Sequence, residues 1–117
     1  MKDFRKLIVW EKAHQLTLKI YKVTEEFPRE ELYGLTSQIR RACVSIPINI
    51  AEGCVRSSDA DFSRFLYIAV GSTSELEYLI LLAMDLKIIK NELHLELNNE
   101  INEIKKMLIS MIQKLKA

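Results

Sequence analysis

The sequence predicts an all-α protein, an up-down antiparallel four-helix bundle whose second helix is kinked by a proline. Four stretches carry apolar residues at alternating steps of three and four, the period of one face of a helix. Only three Gly and two Pro occur in 117 residues, which leaves little material for the turns of a β-sandwich. Short polar segments connect the periodic stretches, as in an up-down bundle. Hydrophobic residues make up 49% and charged residues 28%, a globular composition. The length fits one domain, residues 1–117, with enough chain to bury a core without staples.

The first helix is expected over residues 7–26, on the stripe Trp10, Ala13, Leu16 or Thr17, Ile20, Val23 and Phe27. Phe27-Pro28 ends it, because the residue before proline is pushed out of the α region. A loop follows to Gly34, with the acidic pair Glu30-Glu31. The second helix begins near Leu35-Thr36, Thr36 being the expected N-cap. Its stripe is Leu35, Ile39, Ala42/Cys43, Ile46, Ile50 and Cys54. Pro47 lies within it and removes one hydrogen bond. The apolar phase stays in step on both sides, which predicts one kinked helix rather than two short ones.

Ser58 is the expected cap of the third helix, with Asp61 three residues on in a variant of the capping box. The stripe Phe62, Leu66, Ala69, Thr73, Leu76, Ile80 and Ala83 has near-heptad spacing and should end near Lys87. Asn91 is the expected cap of the fourth helix, whose stripe is Leu93, Leu97, Ile101, Ile104, Leu108, Met111 and Leu115.

One feature exceeds what a lone bundle needs. Residues 76–84 are apolar nearly all round, with Glu77 the only charge, and Met107, Ile109 and Ile112 flank the main stripe of the fourth helix. A helix apolar on every side is normally buried on every side. The simplest account is a second surface buried by self-association through the third and fourth helices; an overpacked monomer core is the alternative.

Charge supplies no global field for nucleic acid: 17 basic residues face 16 acidic ones. Cys43 and Cys54 on one helix lie about 16 Å apart, too far for a disulfide, and read as reduced, buried thiols. No apolar run is long enough for a signal peptide or a membrane span, so a cytosolic protein with no membrane partner is expected.

The run Tyr33-Gly34-Leu35-Thr36-Ser37-Gln38-Ile39-Arg40-Arg41-Ala42 leads into Ser45-Ile46-Pro47-Ile48-Asn49-Ile50-Ala51-Glu52-Gly53. It resembles the signature of the four-helix-bundle proteins encoded in intervening sequences of bacterial 23S rRNA genes. The likeness extends to Trp10-Glu11-Lys12-Ala13, Phe27-Pro28, Phe65-Leu66 and Ala69-Val70-Gly71-Ser72 with Glu75, and so spans almost the whole chain. It implies an antiparallel bundle that assembles into a ring-like homopentamer. A related branch serves as accessory protein of diversity-generating retroelements, engaging reverse transcriptase and nucleic acid.

Arg41, Ser45, Asn49, Glu52 and Arg56 follow at steps of four, four, three and four, a polar line along the second helix. Pro47 frees the carbonyl of Cys43, which a nearby Ser or Asn can satisfy. Gly71-Ser72 is small enough to admit another helix, and Glu75 lies one turn on. Three readings stay open: a network of Arg and Glu locking the second helix to the third, a ligand or RNA contact site, or pairing between subunits. Arg40, Arg41, Arg56 and Arg64 form a phosphate patch only if gathered around a ring, since Arg40 and Arg41 point about 100° apart.

No catalytic constellation is present. His14 and His94 have no carboxylate spacing of a metalloprotease or di-iron bundle, and no glycine loop cradles phosphate. The expectation is a non-enzymatic oligomer without cofactor or metal, a scaffold for RNA or a nucleic-acid-handling protein. A pure assembly module is the alternative, and a small-molecule binder the third.

Overall fold

A computed structural model describes residues 2–116. It contains four helices and, among the described residues, no strand: α1 Ile8–Thr24, α2 Leu35–Cys54, α3 Asp59–Asp85 and α4 Asn91–Lys116. Each packs on its neighbour in the chain, and α1 closes the ring against α4, while α1 and α3, and α2 and α4, stay apart. The fold is therefore a four-helix bundle. Lys12 pairs with Glu103 and Lys19 with Glu96, so α1 and α4 run in opposite directions. Thr17 meets Cys43 while Thr24 meets Arg40, the same sense between α1 and α2. A 27-residue helix is about 40 Å long, which sets the 43 Å long axis of the molecule.

The expected stripes form one core, with Leu16, Ile39, Ile50, Leu66, Leu76 and Ile101 completely buried. α2 runs unbroken from Leu35 to Cys54 with Pro47 buried inside it, one helix rather than two. α3 packs most extensively, against both α2 and α4. It is also the one helix, among the described residues, long and apolar enough to cross a membrane by length and composition. Less than half of that apolar window, 44%, is buried in the bundle, so α3 keeps a substantial apolar face outside.

The helix ends correct two expectations. Thr36 is not the cap of α2; it lies in the first turn, and the Glu31 carboxylate accepts from the Leu35 N–H at 3.0 Å. That carboxylate would lie 2.9 Å from a Cβ on Gly34, so glycine keeps its path clear. A negative charge at this helix N-terminus is also favoured by the macrodipole. Asn91 is likewise inside its helix rather than capping it, since the Lys90 carbonyl takes the first helical bond, from His94. Ser58 caps α3 as expected, accepting from the Asp61 N–H at 3.1 Å.

α1 ends two residues short of the expected Glu26, and a short 3-10 turn at Phe4–Lys6, capped by Asp3, precedes it. That turn places Phe4 against Trp10, whose other neighbour is the stacked ring of His14. α3 stops at Asp85 in a Schellman motif: Ile88 N–H bonds to Ala83 C=O and Lys87 N–H to Met84 C=O. Lys87 holds φ at 63°, the left-handed conformation usually given to glycine.

Two substitutions test this account by chemical denaturation. Lys87→Gly should raise stability by about 1 kcal/mol, because the left-handed turn then carries no Cβ clash. Gly53→Ala should lower it by about 1–3 kcal/mol, because the new methyl would meet Phe62 at 2.8 Å and Phe65 at 3.1 Å.

Candidate functional site

The polar line on α2 divides into three parts. In the middle, Ser45 and Asn49 point toward α3, where the Ser45 hydroxyl lies 2.8 Å from that of Ser72. The Asn49 amide donates to the Ser45 hydroxyl at 3.0 Å and to the Ser45 carbonyl at 2.8 Å. Ser72 donates to the Ile68 carbonyl on its own helix at 3.2 Å. This half-buried cluster is the polar lock between α2 and α3. It replaces the expected lock of arginine and glutamate: Arg41, Glu52 and Glu75 are all exposed, and no ion pair joins any of them among the described residues. Helix periodicity put Arg41 and Glu52 on one line, but the line faces solvent at both charges. Among the described residues no side chain donates to the Cys43 carbonyl that Pro47 leaves free, and Asn49 donates to the Ser45 carbonyl instead.

The four arginines separate into two pairs at opposite ends of α2. Arg56 and Arg64 flank the Phe65 ring, their guanidinium carbons 4.4 and 4.5 Å from its centre. Both reach Asp61, at 3.9 and 3.0 Å. Asp61 offsets one of the two charges and both guanidiniums pack on Phe65, two partners that sequence spacing did not single out. At the other end, Arg40 donates to Thr24 Oγ1 at 2.8 Å and to the Tyr21 carbonyl at 3.3 Å, and lies over the Tyr21 ring at 4.5 Å. Arg41 has no hydrogen bond, ion pair or ring contact among the described residues.

Beside these two arginines is a concavity of about 570 Å³ on the outer side of α2. Ser37, Val44 and Ile48 line it along α2, with Tyr21 from α1 and Leu32 and Tyr33 from the loop between the helices. A second hollow of about 580 Å³ shares Arg41, Ser45 and Tyr33 and reaches Glu75 on α3. Tyr33 is 94% exposed, an aromatic ring held almost wholly in water. Of the polar line on α2, Arg41 and Ser45 line both hollows, while Asn49 and Glu52 line neither. Of the small pair Gly71-Ser72, expected to admit another helix, Ser72 meets α2, whereas no atom of the described residues lies within 4 Å of where a Gly71 Cβ would sit.

Both thiols are buried and unpaired. Desolvation pushes Cys43 up from its ordinary 9.0 to about 11, against the weaker opposing pull of the Thr17 hydroxyl. No group of three or more His, Cys, Asp or Glu side chains that could hold a metal ion occurs among the described residues.

These features define a helical bundle with a hydroxyl–amide lock, two hollows beside free or anchored arginines, and an apolar outer face. A profile of the 23S rRNA-intervening sequence proteins matches residues 5–110, and the chain belongs to that family. The crystal structure of a protein with unknown function from the S23 ribosomal protein family of Bacteroides thetaiotaomicron VPI-5482 is similar throughout. It is 32% identical, with a TM-score of 0.85, and the alignment covers 91% of this chain and 96% of that one. No curated protein matches the chain.

Three outcomes follow. Asn49→Ala should cost about 1 kcal/mol by breaking the lock, whereas Arg41→Ala and Glu52→Ala should each change stability by about 0.5 kcal/mol or less; urea melts of the three variants decide this. Cys43 should resist thiol-specific labelling until the protein is unfolded. Because the unfolded thiol ionises at lower pH than the folded one, the stability linked to Cys43 is complete below pH 9.0 and fades as pH rises toward 11. Cys43→Ala should flatten that alkaline decline in denaturation midpoints.

Proposed function

We propose that this chain is a non-enzymatic assembly module of the cytosol, joining further copies of itself through the outer face of α3. The observation that carries the reading is the composition of that face. Tyr67, Ile68, Tyr78 and Leu81 are all exposed large apolar side chains of α3, and Tyr78 is 58% exposed. Between Arg64 and Asp85 the only charges on the helix are Glu75 and Glu77, and Glu77 is turned to α4, bonded to Lys105 and Asn102. Exposed Gly71 leaves a notch in the middle of the face. Ile109 of α4 is a further exposed apolar side chain beyond α3. A helix face this rich in exposed large apolar side chains is characteristic of a protein–protein interface.

Part of the apolar surplus lies inside the monomer: Ile112 is buried, and Met107 and Met84 pack against the core. The interface is therefore narrower than the whole of α3 and α4. The arginines support assembly over a nucleic-acid track. A track needs several unpaired cations along one surface, whereas Arg56 and Arg64 share Asp61 and Arg40 is held by α1. A ring of five copies, implied by the family resemblance, requires one patch to meet a different patch on the next copy. The exposed face of α3 supplies one of the two.

Light scattering coupled to size-exclusion chromatography tests the proposal. The native chain should elute as an oligomer at micromolar concentration, and Tyr78→Glu should shift it to monomer without lowering the melting temperature of the isolated bundle. A native particle of 13.6 kDa would overturn the reading.

A further inference from the structure

We infer that the hollow between Tyr21, Tyr33 and the Arg40–Arg41 pair binds a nucleoside 5′-monophosphate, either free or as the 5′ end of a single-stranded RNA. This surface is separate from the α3 face and stands or falls independently of it.

The charge of the hollow is the first argument. Its lining holds two arginines and no acidic residue. Glu31, in the loop, holds its carboxylate on the Leu35 N–H, and Glu75 lines only the adjoining hollow that shares Arg41. Arg41 is the group that meets the phosphate: it is exposed and carries no partner within the described residues. A guanidinium presents a planar set of donors suited to two phosphate oxygens at once.

Arg40 plays a different part. Its Nε is committed to Thr24 and one terminal nitrogen to the Tyr21 carbonyl, so it stays fixed on α1 while still lending its charge to the site. The two arginines flank Ser37 and Val44 on the helix surface and address the ligand from opposite sides. One phosphate need not be reached by both.

The walls decide what carries the phosphate. An almost fully exposed Tyr33 ring is costly to leave in water and offers a flat stacking surface, as aromatic rings do for unpaired bases. Leu32, Val44 and Ile48 give an apolar bed below it. Ser37 adds a hydroxyl suited to a sugar. Thr36 supplies an independent sign of a missing partner. It lines the cavity and is only 3% exposed, and its hydroxyl is the one buried side-chain polar atom without a hydrogen bond among the described residues. A buried hydroxyl in that state invites an acceptor or donor from outside the chain. The volume, about 570 Å³, lies within the range of small-ligand sites.

The test is an amide-resolved NMR titration of the full chain with adenosine 5′-monophosphate at low salt. Shifts should concentrate at Tyr33, Ser37 and Arg41 and saturate. Arg41→Ala and Tyr33→Ala, both at exposed positions and expected to melt like the native chain, should each weaken binding by about tenfold or more. Adenosine and inorganic phosphate, each offering half of the ligand, should bind more weakly than the monophosphate. A 5′-phosphorylated RNA strand that binds tighter than the free nucleotide and loses that advantage as a 5′-hydroxyl strand identifies the RNA end as the source; binding of the free nucleotide alone identifies the metabolite. Absence of saturable shifts at millimolar nucleotide, shifts located elsewhere, or equal binding by both variants overturns the assignment. An acidic peptide that saturates the site where the nucleotide does not also overturns it.

Discussion

Two helices can share a hydrogen bond between side chains as short as those of serine only when their backbones lie unusually close. α2 and α3 meet that condition at two points of their contact. Near the turn that joins them, Gly53 faces Phe62 and Phe65 with no room for even a methyl group. Halfway along, the Ser45 and Ser72 hydroxyls touch, and Asn49 completes the cluster. The glycine sets the spacing, and the hydroxyl cluster fixes the register at that spacing. Bulk at Gly53 would move the serines apart, and the polar groups left half-buried would lose their partners. With α2 and α3 fixed, α1 and α4 each need only cover the remaining apolar stripe on one of them.

That dependence explains why the outer faces of α2 and α3 are free to carry function. The close contact is made by small residues, so the larger side chains of both helices point elsewhere. On α3 they form the exposed row of Tyr67, Ile68, Tyr78 and Leu81. On α2 they are Arg40, Arg41, Val44 and Ile48, which line the hollow beside the loop. The seam between α1 and α4 is different in kind. Its side-chain links are lysine–glutamate pairs, with Lys19 reaching both Glu96 and Glu100. Pairs this exposed contribute little to stability, so this side of the bundle is held chiefly by its apolar stripe.

Much of this was legible in the sequence, and the pattern of success is physical. The stripes of all four helices and the cap at Ser58 depend on local geometry, which spacing alone encodes. Spacing also put Ser45 and Asn49 on the side of α2 that meets α3. It could not say that the same line turns outward at Arg41 and Glu52, because that depends on how far the neighbouring helix covers α2. Thr36 looked like a cap by residue type, but a carboxylate four residues before Leu35 reaches that amide instead. The hollow was hidden because Tyr21, Tyr33 and Arg41 come from three separate segments. An aromatic residue next to Gly34, just ahead of two adjacent arginines, was the one signal in the chain that pointed there.

The chain's two ends have a consequence for anything attached to them. The Lys2 N–H bonds to the Cys54 carbonyl, where α2 finishes, and the Lys116 ammonium lies over the Tyr67 ring, near the start of α3. Both ends therefore emerge at the pole of the molecule where α2 turns into α3. The Tyr33 loop occupies the other pole of a body 43 Å long. A fused domain, a purification tag or a surface linker would extend away from the hollow at either terminus. The molecule can thus be tethered by one pole while the other remains open to solution.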